Sequence, residues 1–192
     1  MRTGIFGGTF DPPHVGHLLA AGDAVDILRL DRVVFIPAAQ QPLKPGAPAA
    51  SGRDRLAMVR AMTANDPRFA VDGIEIERGG LSFTVDTLRA LRERWDDDDL
   101  ALFLLLGSDA AATLPNWRES EALTDFAEIV VLTRPGNAEG SSDSGTAGRT
   151  IATRCVDVSS TEIRDRVRTA RSIRGFVTDA VALYIARAGL YR

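Results

Sequence analysis

The sequence predicts an α/β fold, doubly wound around a mostly parallel sheet, and three observations carry the prediction. Short apolar runs at residues 4–6, 32–37, 69–76, 100–106, 127–132 and 150–158 alternate with segments whose apolar residues recur at helical spacing. The connections between them are long enough for right-handed helical crossovers. Glycine- or hydroxyl-rich turns follow several runs, at the sheet edge where ligands of open α/β folds bind.

The first run leads into Gly7-Gly8-Thr9-Phe10-Asp11-Pro12-Pro13-His14-Val15-Gly16-His17, which gathers both histidines of the chain into one strand-to-helix turn. Backbone N–H groups of such a turn, with a helix dipole behind them, suit an anion. His14 and His17 are three apart, so imidazoles placed in the first helical turn share a face and could both donate to one phosphate chain. Gly16 removes a side chain that would screen the helix end, and Pro12-Pro13 fixes the approach. Two such histidines could also be metal ligands or satisfied structural residues. A third ligand at metal-site spacing is missing nearby. Neither G-x-x-x-x-G-K-[ST] nor G-x-G-x-x-G is present.

Residues 18–30 then read as a helix and 32–37 as a buried strand ended by Pro37. An NAD-binding fold would want an acidic residue where Pro37 stands. Residues 38–51 form a Pro- and Ala-rich loop whose one charge, Lys44, is either solvated surface or a phosphate ligand. A helix at 53–64 stops at Asn65-Asp66-Pro67, and a strand over 69–76 is broken by Gly79-Gly80. Ser82 and Thr84 are plausible caps of the next helix. The run Asp96 to Asp99 is a solvated turn rather than a metal site, since adjacent carboxylates repel.

The strand at 100–106 is the most hydrophobic and reads as the sheet centre, ending in Gly107-Ser108-Asp109. Trp117, after Pro115 in a loop-like stretch, is either a core residue or a platform for a flat ring. The strand at 127–132 closes in Thr133-Arg134-Pro135-Gly136. Residues 137–149 are rich in Gly, Ser and Ala and are expected to be mobile. From about residue 160 the chain is helical; Ser159 with Glu162 makes a capping box, and Ser160, Thr161 and Arg164 could equally face phosphates.

The string from Gly7 to His17 closely resembles the signature of the H-x-G-H nucleotidyltransferases, in the branch that adenylylates nicotinate mononucleotide. The resemblance continues through Ser82 to Leu88 (Ser-Phe-Thr-x-Asp-Thr-Leu) and through the S-T-x-x-R formed by Ser160, Thr161 and Arg164. One departure is Gln41-Pro42-Leu43-Lys44, where the family usually has Pro-Pro-His-Lys. The resemblance implies a Rossmann-like nucleotidyltransferase fold with His14, His17 and Arg164 as catalytic residues. It implies ATP binding by Gly7, Gly8, Thr9, Phe10, His14, Gly16, His17, Gly107, Asp109, Arg134, Ser160, Thr161 and Arg164. Nicotinate mononucleotide would lie against Gly8, Thr9, Lys44, Thr84, Trp117 and Arg134, with Mg²⁺ carried on ATP and no protein metal site. Another H-x-G-H transferase, with a nicotinamide mononucleotide or phosphopantetheine-like acceptor, and a catalytically silent nucleotide sensor remain the rival readings.

The totals agree with one domain over residues 1–192. The 23 basic and 26 acidic side chains give a net charge of −3, which argues against a general nucleic-acid or membrane-surface binder. The single cysteine excludes an intrachain disulfide, and no signal peptide or long apolar run is evident, so a cytoplasmic protein is expected. A homo-oligomer is left open.

Overall fold

The structure is a computed structural model describing all residues except Lys44, Pro45, Ala47, Asp96, Asp98 and 134–147. Six strands, β1 (Arg2–Gly8), β2 (Arg32–Pro37), β3 (Phe69–Val71), β4 (Ala101–Gly107), β5 (Glu128–Thr133) and β6 (Arg149–Ala152), form one parallel sheet in the order β3-β2-β1-β4-β5-β6. The strand order reverses between β1 and β4, the first and fourth runs of the sequence. There the ladders differ in length. β1 follows β2 as far as Gly8 opposite Pro37, but follows β4 only to Ile5 opposite Leu104. The two central strands therefore part toward their carboxyl ends and open a crevice at the switch point.

Because side chains alternate across a strand, the apolar runs feed two cores. Phe6, Val33, Phe35, Phe103, Leu105, Val130 and Leu132 face the helices α1 (Val15–Leu28), α2 (Gly52–Thr63), α7 (Ser160–Arg168) and α8 (Asp179–Ala188). Ile5, Val34, Ile36, Leu102, Leu104, Leu106 and Ile129 face α4 (Thr84–Trp95), α5 (Ser108–Ala112) and α6 (Leu123–Phe126). On the first face, a Cβ at Gly4 would lie 2.9 Å from Leu30 and 3.0 Å from Leu105 and Val33, so helix and sheet meet closely there. Among the described residues no helix is long and apolar enough to cross a membrane.

Two strands are shorter than their apolar runs. β3 stops at Val71 because it pairs with β2 through three residues only; Asp72 then accepts the Ile74 N–H and starts the short helix α3 (Ile74–Arg78) where the sequence reads as strand. β6 stops at Ala152 rather than running to Val158. Thr153 makes one further bond to Thr133, after which the Arg154 N–H and guanidinium both turn to the Asp23 carboxylate on α1 and draw the chain off the sheet. The last helix starts at Asp179, with the Thr178 hydroxyl accepting the Val181 N–H.

Candidate active site

The histidine turn lies at the carboxyl end of β1, at the crevice, and its shape follows from local sterics. Phe10 sits at φ 51°, a left-handed conformation uncommon for a residue with a side chain, and its ring folds back over Gly8, where a Cβ would come within 2.9 Å of it. The peptide between Asp11 and Pro12 is cis. His14 is the N-cap of α1, one residue before the helical turn that the sequence spacing suggests, and His17 is its third residue. Their rings nevertheless stack, 3.8 Å between centroids and 30° between planes. A side chain at Gly16 would press on the His14 ring at 3.1 Å.

His17 is wedged between His14 and the edges of Phe10 and Phe6, with ring centroids 5.0 and 6.1 Å away, and only part of it meets solvent. Its Nδ1 accepts the His14 backbone N–H at 3.1 Å, so the neutral ring carries its proton on Nε2 and presents a donor there. Burial lowers the His14 pKa to about 4. His17 lies well below the usual histidine range, from burial first and then from the neighbouring His14. Both rings are thus neutral near pH 7 without a ligand, and charge-assisted donation from them requires a bound polyanion to raise their pKa values.

The amides contribute less than a glycine turn before a helix promises. Of the first three in α1, Val15 N–H bonds to Phe176 O and His17 N–H to His14 O. The Gly16 N–H and the imidazoles are left as donors. Two buried polar atoms beside them, Thr9 Oγ1 and His14 Nδ1, have no hydrogen-bond partner, an arrangement a ligand or water would complete.

The start of α7 is fastened to the same turn. Ser159 caps it by accepting the Glu162 N–H, while the Ser160 hydroxyl donates to Pro12 O at 2.8 Å. Arg164 donates to Asp11 O at 2.8 Å and to the Thr161 hydroxyl at 3.0 Å. Ser159 therefore takes the cap, and Ser160 and Arg164 tie α7 to the histidine turn through Pro12 and Asp11. Gly107 and Asp109 lie at the end of β4 and in the first turn of α5, both exposed on the same edge.

On the other side of the crevice Thr84 opens α4, where the first amides have no carbonyl one turn back. Ser82 does not cap this helix. Its hydroxyl accepts the Ala39 N–H at 2.9 Å and its N–H bonds to Gln40 O, clipping the loop after β2 to the start of α4. Trp117 follows a 3₁₀ turn over Leu114–Asn116, half-buried, with its indole N–H on the Thr113 hydroxyl at 3.0 Å. Arg118 lies 4.9 Å over the Phe83 ring and reaches Asp86, joining Trp117's loop to α4. Lys44 and Arg134, the other two cations expected around the phosphates, lie outside the described residues, as does most of the 137–149 segment.

The sequence reading missed the residues that hold the turn. Asp11 is buried at 5 % exposure and its carboxylate accepts the Ala49 N–H, the Ala50 N–H and the Tyr191 hydroxyl. Arg55, 1 % exposed, donates to the carbonyls of Thr9, Ala38, Ala39 and Ala50. The one sequence signal for Arg55 is the resemblance, in which it matches a basic position of the family's second helix.

A family model described as cytidylyltransferase-like matches residues 5–166. A protein of Gemmatimonas aurantiaca named "Probable nicotinate-nucleotide adenylyltransferase" is 56% identical over the whole of this chain and 93% of its own length. A protein of Thermus thermophilus with the same name is 43% identical over both full lengths. Among solved structures, Plasmodium falciparum nicotinic acid mononucleotide adenylyltransferase complexed with NaAD superposes with a TM-score of 0.79 over 99% of this chain and 97% of its own, at 17% identity, a likeness of fold. With identity this high over its full length, and with the paired histidines at the switch point of its sheet, the chain belongs to the nicotinate-nucleotide adenylyltransferases of the cytidylyltransferase-like family.

Proposed function

We propose that the protein transfers the adenylyl group of ATP to nicotinate mononucleotide, giving nicotinate adenine dinucleotide and pyrophosphate. The observation that carries this is the stacked pair His14 and His17, with Thr9 Oγ1 and His14 Nδ1 buried there without a hydrogen-bond partner.

 

That pair sits where the strands part, and Arg164 of α7 is tied to the same turn through Asp11 O, so imidazole and guanidinium donors gathered at one turn suit a phosphate chain. The acceptor's own phosphate is already ionised at neutral pH, so no general base is required. Its oxygen forms a bond to the α-phosphorus of ATP while the bond from that phosphorus to the bridging oxygen breaks, and pyrophosphate leaves with the electron pair.

In this reading Gly7, Gly8, Thr9 and Phe10 line the phosphate path. His14 and His17 donate to the oxygens where charge spreads, and Gly16 gives the chain room to approach. Ser160, Thr161 and Arg164 receive the leaving phosphates, and Gly107 and Asp109 lie along the adenosine. Thr84 and Trp117 take the pyridine end, with Gly8 and Thr9 between the two substrates and Lys44 and Arg134 as further cations. Mg²⁺ travels on the ATP phosphates and neutralises part of their charge. Among the described residues no three His, Cys, Asp or Glu side chains gather as a metal site.

Pyrophosphate release from ATP with nicotinate mononucleotide, nicotinamide mononucleotide and a phosphopantetheine acceptor tests the reading. Release with the first substrate alone, or with it far ahead of the others, is the expected result. Release that favours another acceptor reassigns the substrate, and ATP binding without release in any mixture makes the protein a nucleotide sensor.

A further inference from the structure

The Thr9–Pro12 backbone is held from behind. Thr9 O accepts from Arg55 at 2.7 Å, Asp11 O from Arg164 at 2.8 Å and Pro12 O from Ser160 at 2.8 Å. Three carbonyls are thereby drawn into the protein. The Asp11 side chain anchors the centre of the turn through three donors, two of them amides of the loop after β2 and the third the Tyr191 hydroxyl at 2.7 Å.

Tyr191 reaches that position through an unusual backbone. Gly189 ends α8 in the left-handed region at φ 64°, and Tyr191 itself sits at φ 63°. A tyrosine gains nothing locally from that conformation, and Phe10, on the other side of the hydrogen bond, is also left-handed at φ 51°. Surrounding contacts hold both. The phenol pKa is pushed up by burial and by the Asp11 carboxylate, so the hydroxyl is a donor throughout the physiological range.

We propose that Tyr191 is a positioning residue for adenylyl transfer. Through Asp11, its hydroxyl holds the Thr9–Pro12 backbone, and with it Arg164, in the arrangement that receives the phosphate chain. The proposal rests on the adenylyl-transfer reading for its kinetic consequence, but the position of the turn can be read without turnover.

Tyr191→Phe keeps the ring, which packs against the first core, and removes the donor. Two measurements decide the matter: steady-state kinetics of pyrophosphate release, and amide hydrogen exchange of the peptide spanning residues 7–11 with a β4 peptide as reference. The expected result is a kcat lower by about tenfold with KM for ATP within about twofold. Exchange in the turn should be faster by a similar factor, and exchange in β4 unchanged. In the Asp11→Ala background, the same Tyr191→Phe change should cost little more, because the acceptor of the hydroxyl is already gone.

Unchanged turn exchange overturns the proposal, as does faster exchange with unchanged kcat, or equal acceleration in β4, which marks a general loss of stability. If the wild-type protein releases no pyrophosphate with any acceptor, the reaction assignment fails, and the exchange comparison alone decides whether Tyr191 positions the turn. Should Tyr191→Phe not fold, Tyr191→Leu, which also removes the donor, must show the same selective loosening of residues 7–11, and its absence overturns the proposal.

Discussion

His17 accepts the backbone N–H of His14 through Nδ1 while its ring lies 3.8 Å from the His14 ring. One contact therefore fixes the tautomer of the second histidine and the other fixes its plane, before any ligand arrives. Replacing His17 with Ala removes a donor already aimed. We expect kcat to fall roughly a hundredfold or more, with substrate affinity changed far less. A folded His17→Ala protein turning over near the wild-type rate would sink the mechanism.

Both imidazoles are neutral in the empty site, and this has a definite sign with pH. The His14 pKa in the folded protein is about 4, against 6.5 when unperturbed. Between those values the unfolded chain binds more protons than the folded one. The stability of the ligand-free protein is therefore fully present above about pH 6.5 and is lost as pH falls through 4. At most about 3 kcal/mol is at stake from this residue, since part of the ring remains in contact with solvent. Thermal melts at pH 7 and pH 5 should show a smaller drop for His14→Gln than for wild type. ATP binding near pH 6 should take up protons, measurable as a heat that varies with buffer ionisation enthalpy, and a buffer-independent heat would contradict the neutral pair.

Glu75 makes the opposite case. It is buried in α3, its carboxylate accepts the Thr87 hydroxyl of α4 at 2.7 Å, and burial raises its pKa. Arg78, which bonds to the same hydroxyl, opposes that shift. An acid whose folded pKa exceeds its unfolded one contributes stability below the unfolded value, and that contribution is lost as pH rises through the folded value. Glu75→Gln keeps an acceptor for Thr87 without the charge. It should raise Tm at neutral pH by about 2–4 °C and flatten the pH dependence above pH 5. A lower Tm with an unchanged slope would show that the carboxylate is required in its ionised form.

Acid should be preferred over amide at the acceptor. The first amides of α4 offer donors, which a carboxylate meets with acceptors only, whereas a carboxamide turns an NH₂ toward like groups. The mismatch is worth about 1–3 kcal/mol, or roughly tenfold to hundredfold in kcat/KM. Thr84→Pro should be severe for nicotinate mononucleotide because it deletes the N–H, while the first helical position tolerates proline and the fold should survive. Thr84→Ala should be mild, and Trp117→Ala should weaken both acceptors. Equal kcat/KM for acid and amide would refute the selectivity while leaving adenylyl transfer intact.

The fold was largely legible because its signals are local. Each central strand announces itself as an apolar run, and both faces of 100–106 are buried in the parallel sheet, so no alternation was needed to find it. The edges were harder. β3 and β6 have one neighbour each, and there single side chains, Asp72 and Asp23, decide where pairing ends. In the candidate site, His14, His17 and the Ser160-Thr161-Arg164 set could be singled out because each is a short string, and the structure brings the two strings to one turn. Asp11 stood inside the quoted motif without a role of its own, and Arg55 only matched a basic position of the family's second helix. Their roles exist only through partners distant in sequence, and no local pattern encodes those.

The turn comes early in the chain, but its fastenings do not. Ser160 bonds to Pro12 at a sequence separation of 148, Arg164 to Asp11 at 153, and Tyr191 to the Asp11 carboxylate at 180. Contacts of such separation close only after the intervening strands have assembled, because the entropy of the loop must first be offset by nearer contacts. During synthesis β1 and the histidines emerge first and wait. A chain stalled before residue 160 can build the first βαβ unit and display both imidazoles, but Arg55 and the loop amides alone would brace the turn. Competence to bind a phosphate chain is thus acquired at the end of folding, and partly folded chains present the motif without the grip.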